Sequence, residues 1–158
     1  MKTVFCRNVE EMQLLANSFL NAVQKEVFTD NPEVATTIGL SGDLGAGKTA
    51  FVKCVARSLG IQEEVTSPTF VIEKIYPLEN NNFDHLIHID AYRLAGGSEL
   101  TVLGWDEIYT NTKNLILIEW PGQLGELLAG IPVLTFEFVD TTTRSVTIPD
   151  LYANFFQA

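Results

Sequence analysis

The sequence predicts a three-layer α/β domain whose mostly parallel central sheet carries an antiparallel C-terminal hairpin at one side. Strand-like segments alternate with amphipathic helical segments from residue 3 to residue 118, which is typical of strand–helix units around a parallel sheet. Two β-rich stretches, 133–139 and 145–148, then flank a polar turn and indicate a hairpin. A length of 158 residues is too short for two ordinary domains, so we predict one domain over residues 1–158.

The predicted elements follow one another as short strand–helix units. A strand at 3–6 leads into Asn8-Val9-Glu10-Glu11, which resembles a capping box and opens a helix to about residue 25, and the sequence T-D-N-P at 29–32 ends it. An apolar strand at 36–40 leads through a glycine-rich loop into a helix at 49–59. The remaining predicted elements are strands at 70–75, 86–90 and 115–118, a helix at 98–109, and the hairpin.

The glycine-rich loop of the second unit reads Gly42-Asp43-Leu44-Gly45-Ala46-Gly47-Lys48-Thr49 and matches G-x-x-x-x-G-K-[ST] in the required strand–loop–helix setting. Its glycines permit positive φ and a close approach of backbone N–H groups to a phosphate at a helix N-terminus. The predicted phosphate-binding residues are Gly42, Leu44, Gly45, Ala46, Gly47, Lys48, Thr49 and Ala50. We expect Lys48 to reach the β- and γ-phosphates and the Thr49 hydroxyl to ligate Mg²⁺. The motif therefore predicts a P-loop NTPase fold that binds a nucleoside triphosphate with Mg²⁺; a glycine-rich turn that only caps a helix is the alternative.

Two acidic residues stand at the ends of predicted strands. Ligands of parallel α/β sheets collect at the carboxyl ends of the strands, so Glu119 and Asp90 are candidates for the Mg²⁺-side carboxylate or for the general base. The sequence does not separate these roles. For each residue the alternative is an acid that only marks a strand end.

Two further side chains follow the same strand end. His88 lies two residues before Asp90 on the same side of the strand, and a packed histidine is a more common role than a catalytic one. Arg93 is a candidate arginine finger supplied in cis; its alternative is an ion pair with Asp90 or Glu99.

The segment 65–70, V-T-S-P-T-F, places three hydroxyls around a proline between the phosphate-loop helix and the next strand. In switch-type nucleotide proteins a hydroxyl from this position senses the γ-phosphate and Mg²⁺. We predict a switch-like loop here, with Thr66 as a catalytic candidate beside Ser67 and Thr69; a plain Ser-Pro turn is the alternative.

Composition restricts the partners. The formal net charge of -10, from 20 acidic and 10 basic residues, disfavours broad contact with nucleic-acid phosphates, so any RNA is expected to be held by another subunit. Cys6 and Cys54 show no metal or redox spacing and are expected to be buried reduced thiols. The sequence shows no export segment and no apolar window near the ~20 residues of a membrane span, so we expect a cytoplasmic protein with no membrane contact.

Four segments in this order resemble the TsaE (YjeE) family: the phosphate loop, S-P-T-F at 67–70, H-I-D-A-Y-R-L at 88–94 and E-W-P at 119–121. The resemblance covers about residues 8–144. The family comprises small bacterial ATPases needed for the threonylcarbamoyladenosine (t6A) modification of tRNA. It implies that Lys48 and the loop hold ATP phosphates, that Thr49 and Glu119 serve Mg²⁺, that Asp90 is needed for turnover, and that Trp120 lies beside the site.

The resemblance also implies an adenine site and partners. The adenine is expected between the N-terminal strand–helix junction near Asn8 and the hairpin turn near Thr143 and Arg144. The implied partners are the threonylcarbamoyl-transferase subunit, TsaD, and its paralogous companion, TsaB, with tRNA contacted only indirectly.

Three other functions compete with this interpretation. D-A-Y-R at 90–93 resembles an acceptor-site motif of nucleoside-type small-molecule kinases, but after Arg93 the only arginine is Arg144, which leaves no arginine-rich lid. A GTPase lacks its guanine motif, because residues 111–114 read N-T-K-N. The third alternative is an interaction module that does not hydrolyse nucleotide. In such a module the carboxylates at the strand ends, Asp90 and Glu119, would have no role.

Overall fold

The structure, a computed structural model, describes residues 1–25, 31–79 and 81–156. Its strands are β1 Lys2–Cys6, β2 Thr36–Ser41, β3 Glu73–Pro77, β4 His85–Asp90, β5 Asn114–Glu119, β6 Val133–Phe138 and β7 Arg144–Ile148. Its helices are α1 Val9–Gln24, α2 Lys48–Ser58, α3 Gly97–Val102 and α4 Trp105–Thr110, with 3₁₀ helices at Pro121–Leu128 and Asp150–Phe155. Within the described residues the strands form one sheet in the order β1-β7-β6-β2-β5-β4-β3.

The middle of the sheet is parallel, as predicted. Strands β6, β2, β5 and β4 run in the same direction, and β6 and β7 form the predicted antiparallel hairpin. The structure adds a second antiparallel strand that was not predicted, because β3 pairs antiparallel with β4 at the opposite edge. The connection between them spans only residues 78–84, and a parallel pairing needs a crossover of about a dozen residues or more.

The core has two halves, one on each face of the sheet, which gives the predicted three layers. Helices α1 and α2 cover one face, where the rings of Phe19, Phe51 and Phe136 pack with centroids 5.3 and 5.4 Å apart. The second half, around Trp105, packs α3, α4 and the first 3₁₀ helix against the other face. Side chains of β5 alternate between the halves, so this strand is buried on both faces and its end is fixed by packing.

Three local predictions differ from the structure. The strand predicted at 70–75 begins only at Glu73, because the N–H groups of Val71 and Ile72 bond to Pro68 O in a turn that puts Ile72 at φ 69°. The helix predicted at 98–109 is divided into α3 and α4 by Gly104, at φ 87°. Residues 121–128, for which the sequence analysis predicted no element, form two 3₁₀ turns separated by a kink at Gly125, whose φ is 51°. The predicted break at 29–32 lies partly outside the described residues.

Candidate nucleotide-binding site

The phosphate loop joins the end of β2 to the start of α2 and has the backbone that its glycines predict. Gly42, Gly45 and Gly47 all have positive φ, at 146°, 79° and 106°. A Cβ on Gly42 would overlap the carbonyl oxygen of Phe136, so β6 approaches the loop too closely for any other residue. The loop is therefore shaped by the neighbouring strand as well as by its own sequence.

The N-terminus of α2 has no side-chain cap. Its N-cap residue is Gly47, no side chain forms a capping hydrogen bond there, and the first turn contains no acidic residue. The first N–H groups of a helix have no intrahelical acceptor, and the helix dipole adds partial positive charge there. This end of α2 is suited to an anion such as a phosphate.

Lys48 lies within the loop and is 5% exposed. Its Nζ donates to the carbonyl oxygens of Gly42 and, at 2.9 Å, Asp43, and it lies 4.2 Å from the centre of the Trp120 ring. Burial lowers the pKa of this ammonium, and the charges of three carboxylates oppose that shift: Glu119, Asp90 and Asp43. The cation is thus held over the loop by neutral acceptors, which a phosphate oxygen can replace at a gain in charge–charge attraction.

Glu119 ends β5 and is 2% exposed. Its Oε1 accepts a hydrogen bond of 2.7 Å from the Thr49 hydroxyl, and Nε2 of His88 lies 3.5 Å from the same oxygen. Mg²⁺ in nucleotide sites typically takes one or two protein oxygens and completes its shell with phosphate oxygens and water. Among the described residues no group of three or more His, Cys, Asp or Glu could hold a metal, so Mg²⁺ here would depend on nucleotide oxygens.

Asp90 ends β4 and connects the site to the loop at 65–72. Its Oδ2 accepts from the hydroxyls of Thr69 at 2.7 Å and Ser67 at 3.3 Å, and its Oδ1 accepts from the N–H of Tyr92 at 3.0 Å. Ser67 and Thr69 line the cavity beside the phosphate loop, whereas the exposed Thr66 does not. Any movement of this loop therefore acts on Asp90 through Ser67 and Thr69.

Arg93 is exposed and stacks on Phe70, with the guanidinium carbon 4.6 Å from the ring centre. The predicted alternative was wrong, since among the described residues Arg93 forms no ion pair with Asp90 or Glu99. Arg93 is not one of the cavity-lining residues. Its role as an arginine finger stays a prediction.

One cavity of about 890 Å³ brings most of the predicted site together. Residues 44–50 line it, as do Asp90 and Glu119, and on the opposite side Asn8 and Arg144. Small-molecule sites measure roughly 300–1,000 Å³, so this cavity can hold a mononucleotide. Gly42 shapes the loop without lining the cavity.

The hairpin turn closes the cavity on the side of the predicted adenine site. Arg144 donates from Nε to the carbonyl of Gly45 at 2.9 Å, which links the hairpin to the phosphate loop. Thr143 does not line the cavity; its N–H and that of Thr142 bond to Asp140, and these bonds hold the pKa of Asp140 below its ordinary value. Of the three predicted adenine contacts, the structure brings Asn8 and Arg144 to the cavity and leaves Thr143 beside it.

Several residues of the cavity were missed by the sequence analysis. Besides Lys48 and Arg144, three basic side chains line it: Arg7, Lys53 and Arg57. Half of the ten basic residues of this acidic chain thus face one cavity, whose lining has only three acidic residues, and this excess favours an anionic ligand. The i, i+4 spacing of Lys53 and Arg57 on α2 is the signal that could have revealed a basic face.

Aromatic and thiol side chains also line the cavity. Trp120 takes the left-handed conformation at φ 60° and packs against Tyr92, with ring centroids 4.9 Å apart. Cys6 and Cys54 are free and buried, as predicted. Burial raises the pKa of both thiols, that of Cys6 to about 11, so neither is a thiolate nucleophile at neutral pH.

Comparison with known families agrees with this geometry. The sequence model of the family described as "Threonylcarbamoyl adenosine biosynthesis protein TsaE" matches residues 6–146. The chain belongs to the TsaE family. The resemblance predicted from four motifs is confirmed, and the sheet and phosphate loop agree with a P-loop NTPase-like α/β fold.

Individual TsaE proteins resemble this chain over different lengths. A relative from Treponema pallidum is 42% identical over 117 residues, which are 73% of this chain and 83% of the relative. One from Streptomyces coelicolor is 42% identical over 90 residues, or 56% of this chain and 59% of the relative. Both are named "tRNA threonylcarbamoyladenosine biosynthesis protein TsaE". The chain thus spans only about three fifths of the Streptomyces relative.

A solved structure supports the fold. The crystal structure of YdiB from Bacillus subtilis superposes with a TM-score of 0.63 at 25% sequence identity, over 98% of this chain and 90% of the other. No helix in the described part of this TsaE chain is long and apolar enough to cross a membrane.

Proposed function

We propose that this TsaE protein binds ATP with Mg²⁺ and hydrolyses it in support of the t6A modification of tRNA. The observation that carries the proposal is the 2.7 Å hydrogen bond from the Thr49 hydroxyl to Glu119 beside an uncapped helix N-terminus. It joins the last residue of the phosphate loop to the acid at the end of β5, the pair of groups that hold Mg²⁺ in P-loop NTPases. The basic lining of the cavity supports a polyanionic ligand at the same place.

Each residue has a definite task in this proposal. The loop N–H groups and Lys48 bind the β- and γ-phosphates, and Thr49 and Glu119 hold Mg²⁺, which when bound neutralises charge on the phosphate oxygens. Asp90 positions the attacking water or accepts its proton, and Glu119 is the second candidate for that step. Because Ser67 and Thr69 contact Asp90, the loop at 65–72 can connect the presence of a γ-phosphate to the position of this acid.

The pathway is proposed from the family. Relatives carry the name of a t6A biosynthesis protein, so we propose that the partners of this chain are the threonylcarbamoyl-transferase subunit, TsaD, and its paralogous companion, TsaB, in the cytoplasm. The net charge of -10, with half of the basic residues in the cavity, supports indirect rather than direct contact with tRNA. We propose that partner docking completes the site, since Arg93, the candidate arginine finger, does not line the cavity in the described structure.

The test measures nucleotide affinity and phosphate release, each with and without the two partner subunits. We expect partners to stimulate release by the wild type. Asp90→Asn should bind ATP with nearly wild-type affinity yet release phosphate about 10²- to 10⁴-fold more slowly, the usual contribution of a general acid or base. Normal release by Asp90→Asn would make Asp90 structural and leave the role to Glu119 alone.

The same preparation distinguishes the kinase alternative. Nucleosides and nucleoside monophosphates are added as acceptors, and the products are separated by mass. An ATPase releases inorganic phosphate and leaves the acceptors unmodified. A phosphorylated acceptor would overturn the proposal.

A further inference from the structure

His88 is a buried polar residue that the proposed reaction does not use. It lies on β4 with no exposed surface, and neither ring nitrogen has a hydrogen-bond partner among the described residues. Buried polar groups are bonded in more than about nine cases in ten, so such an exception needs an explanation. Oε1 of Glu119 lies 3.5 Å from Nε2.

The sheet register places His88 next to Glu119, the acid proposed to hold Mg²⁺. Leu117 of β5 stands opposite His88, and Glu119 stands opposite Asp90, so His88 is one same-face step away from Glu119. Oε1 of Glu119 already accepts the hydroxyl of Thr49 at 2.7 Å. Both side-chain contacts of this carboxylate among the described residues therefore end on one oxygen, which leaves Oε2 for a metal or a metal-bound water.

The two ring nitrogens face different surroundings. Nε2 lies near Oε1 of Glu119, whereas Nδ1 faces no acceptor among the described residues. A proton on Nε2 therefore points at Glu119. A separation of 3.5 Å is longer than a formed bond of about 2.7–3.2 Å, and contacts of this kind commonly tighten when ligand binds.

We propose that His88 is a positioning residue: its Nε2–H directs Oε1 of Glu119 toward Thr49 and so fixes the carboxylate for Mg²⁺. This inference rests on the proposed function, because it assigns His88 a part in holding the nucleotide-bound metal. Groups that orient a metal-binding carboxylate change metal affinity by about 10- to 100-fold when they are removed.

The first experiment needs no ligand. The chain has two histidines, His85 and His88, so nitrogen chemical shifts report both rings, and a His85→Leu variant assigns them. We expect His88 to carry a proton on Nε2, and we expect Glu119→Ala to shift its nitrogen signals. A proton on Nδ1 alone, or nitrogen signals that Glu119→Ala leaves unchanged, would overturn the inference.

The second experiment measures the Mg²⁺ concentration that gives half-maximal tightening of ATP binding. His88→Leu should raise it about 10-fold or more and leave binding without Mg²⁺ unchanged, and His88→Gln, which keeps an N–H donor, should recover part of the loss. His85→Leu is the matched control on the same strand, because His85 contacts Asn114 at the other end of β4. Thermal unfolding checks that each variant is folded, and His88→Gln serves if His88→Leu is not.

The outcomes separate the two proposals. If the wild type binds ATP with the same affinity with and without Mg²⁺, the proposed function and this inference are overturned together. If ATP binding by the wild type depends on Mg²⁺ but His88→Leu needs the same Mg²⁺ concentration as the wild type, the inference alone is overturned. The same holds if His85→Leu raises that concentration as much as His88→Leu does.

Discussion

Helices α1 and α2 begin at the same cavity, and their N-termini differ in how their first N–H groups are satisfied. In α1, Asn8 accepts from the N–H of Glu11 at 2.8 Å, and the Glu11 carboxylate accepts from the N–H of Arg7 at 2.7 Å. Its first turn contains Glu10 and Glu11. In α2, Gly47 provides no side chain and the first turn contains no acid. One helix is therefore capped by its own sequence, and the other is left for an anion.

In the proposed function the uncapped end binds phosphate, and the difference then separates binding capacity from stability. A polar N-cap is worth about 1 kcal/mol, and α2 forgoes it. The helix stays folded because its buried face, with Phe51, Val52 and Val55 fully buried, packs into the core. A variant that makes the N-terminus of α2 resemble that of α1 should raise stability and lower nucleotide affinity.

The largest expected effect comes from removing the cation that serves the uncapped end. Lys48→Ala should weaken ATP binding about 10- to 100-fold, the cost of hydrogen bonds to a charged group. Thr49→Ala should remove only the Mg²⁺-dependent part of the affinity. Titration calorimetry with and without Mg²⁺ measures both, and Lys53→Ala, on the next turn of α2, is the control for a general loss of positive charge. Wild-type affinity in Lys48→Ala would contradict the proposed phosphate site.

The second prediction makes the start of α2 resemble the start of α1. Ala50 is exposed at the third position of the helix, so Ala50→Glu places a negative charge where Glu11 stands in α1. We expect a gain of about 0.3–1 kcal/mol in the free energy of unfolding of the ligand-free protein, from the helix dipole. The same charge should weaken ATP binding by about 10-fold through repulsion of the phosphates. Ala50→Gln, similar in size and neutral, is the control, and tighter binding by Ala50→Glu would break the comparison.

Local sequence signals were sufficient for these two N-termini. The capping box at 8–11 and the loop at 42–49 are contiguous motifs whose hydrogen bonds are made within a few residues, so sequence pattern determines them. The sequence did not predict the direction of β3 or the position where that strand begins. Both depend on a turn around Pro68 and on pairing with β4, which are tertiary features.

The candidate site was predictable in its residues but not in its contacts. Glu119 and Asp90 were found because strand ends meet at one edge of a parallel sheet. Thr69 rather than Thr66 bonds to Asp90, and this depends on the path of an irregular loop, which no periodic pattern reports. The contacts of Trp120 with Lys48 and of His88 with Glu119 join segments that only folding brings together.

The third prediction removes the cap of α1. Asn8→Ala should lower the free energy of unfolding by about 1 kcal/mol, and Asn8→Asp, which keeps a capping oxygen, should stay close to the wild type. Urea denaturation at equal protein concentration measures both. Because Asn8 lines the cavity, ATP affinity is measured in parallel, and a loss in Asn8→Ala beyond that in Asn8→Asp would support the predicted adenine contact. A wild-type stability for Asn8→Ala would contradict the importance of the cap.

The smallest expected effect isolates charge from hydrogen bonding at the capped end. Glu11→Gln keeps an acceptor for the N–H of Arg7 and removes the negative charge, including the exposed ion pair with Arg7 at 3.6 Å. We expect a loss of about 0.3 kcal/mol at low ionic strength, because exposed pairs and dipole interactions are weak. At about 1 M salt the Debye length is near 3 Å and the loss should disappear. Urea denaturation of Glu11→Gln beside Ala50→Glu provides the sharpest comparison, since the two variants should show opposite signs and the same dependence on salt. A loss in Glu11→Gln that persists at high salt would assign the effect to hydrogen-bond geometry instead of charge.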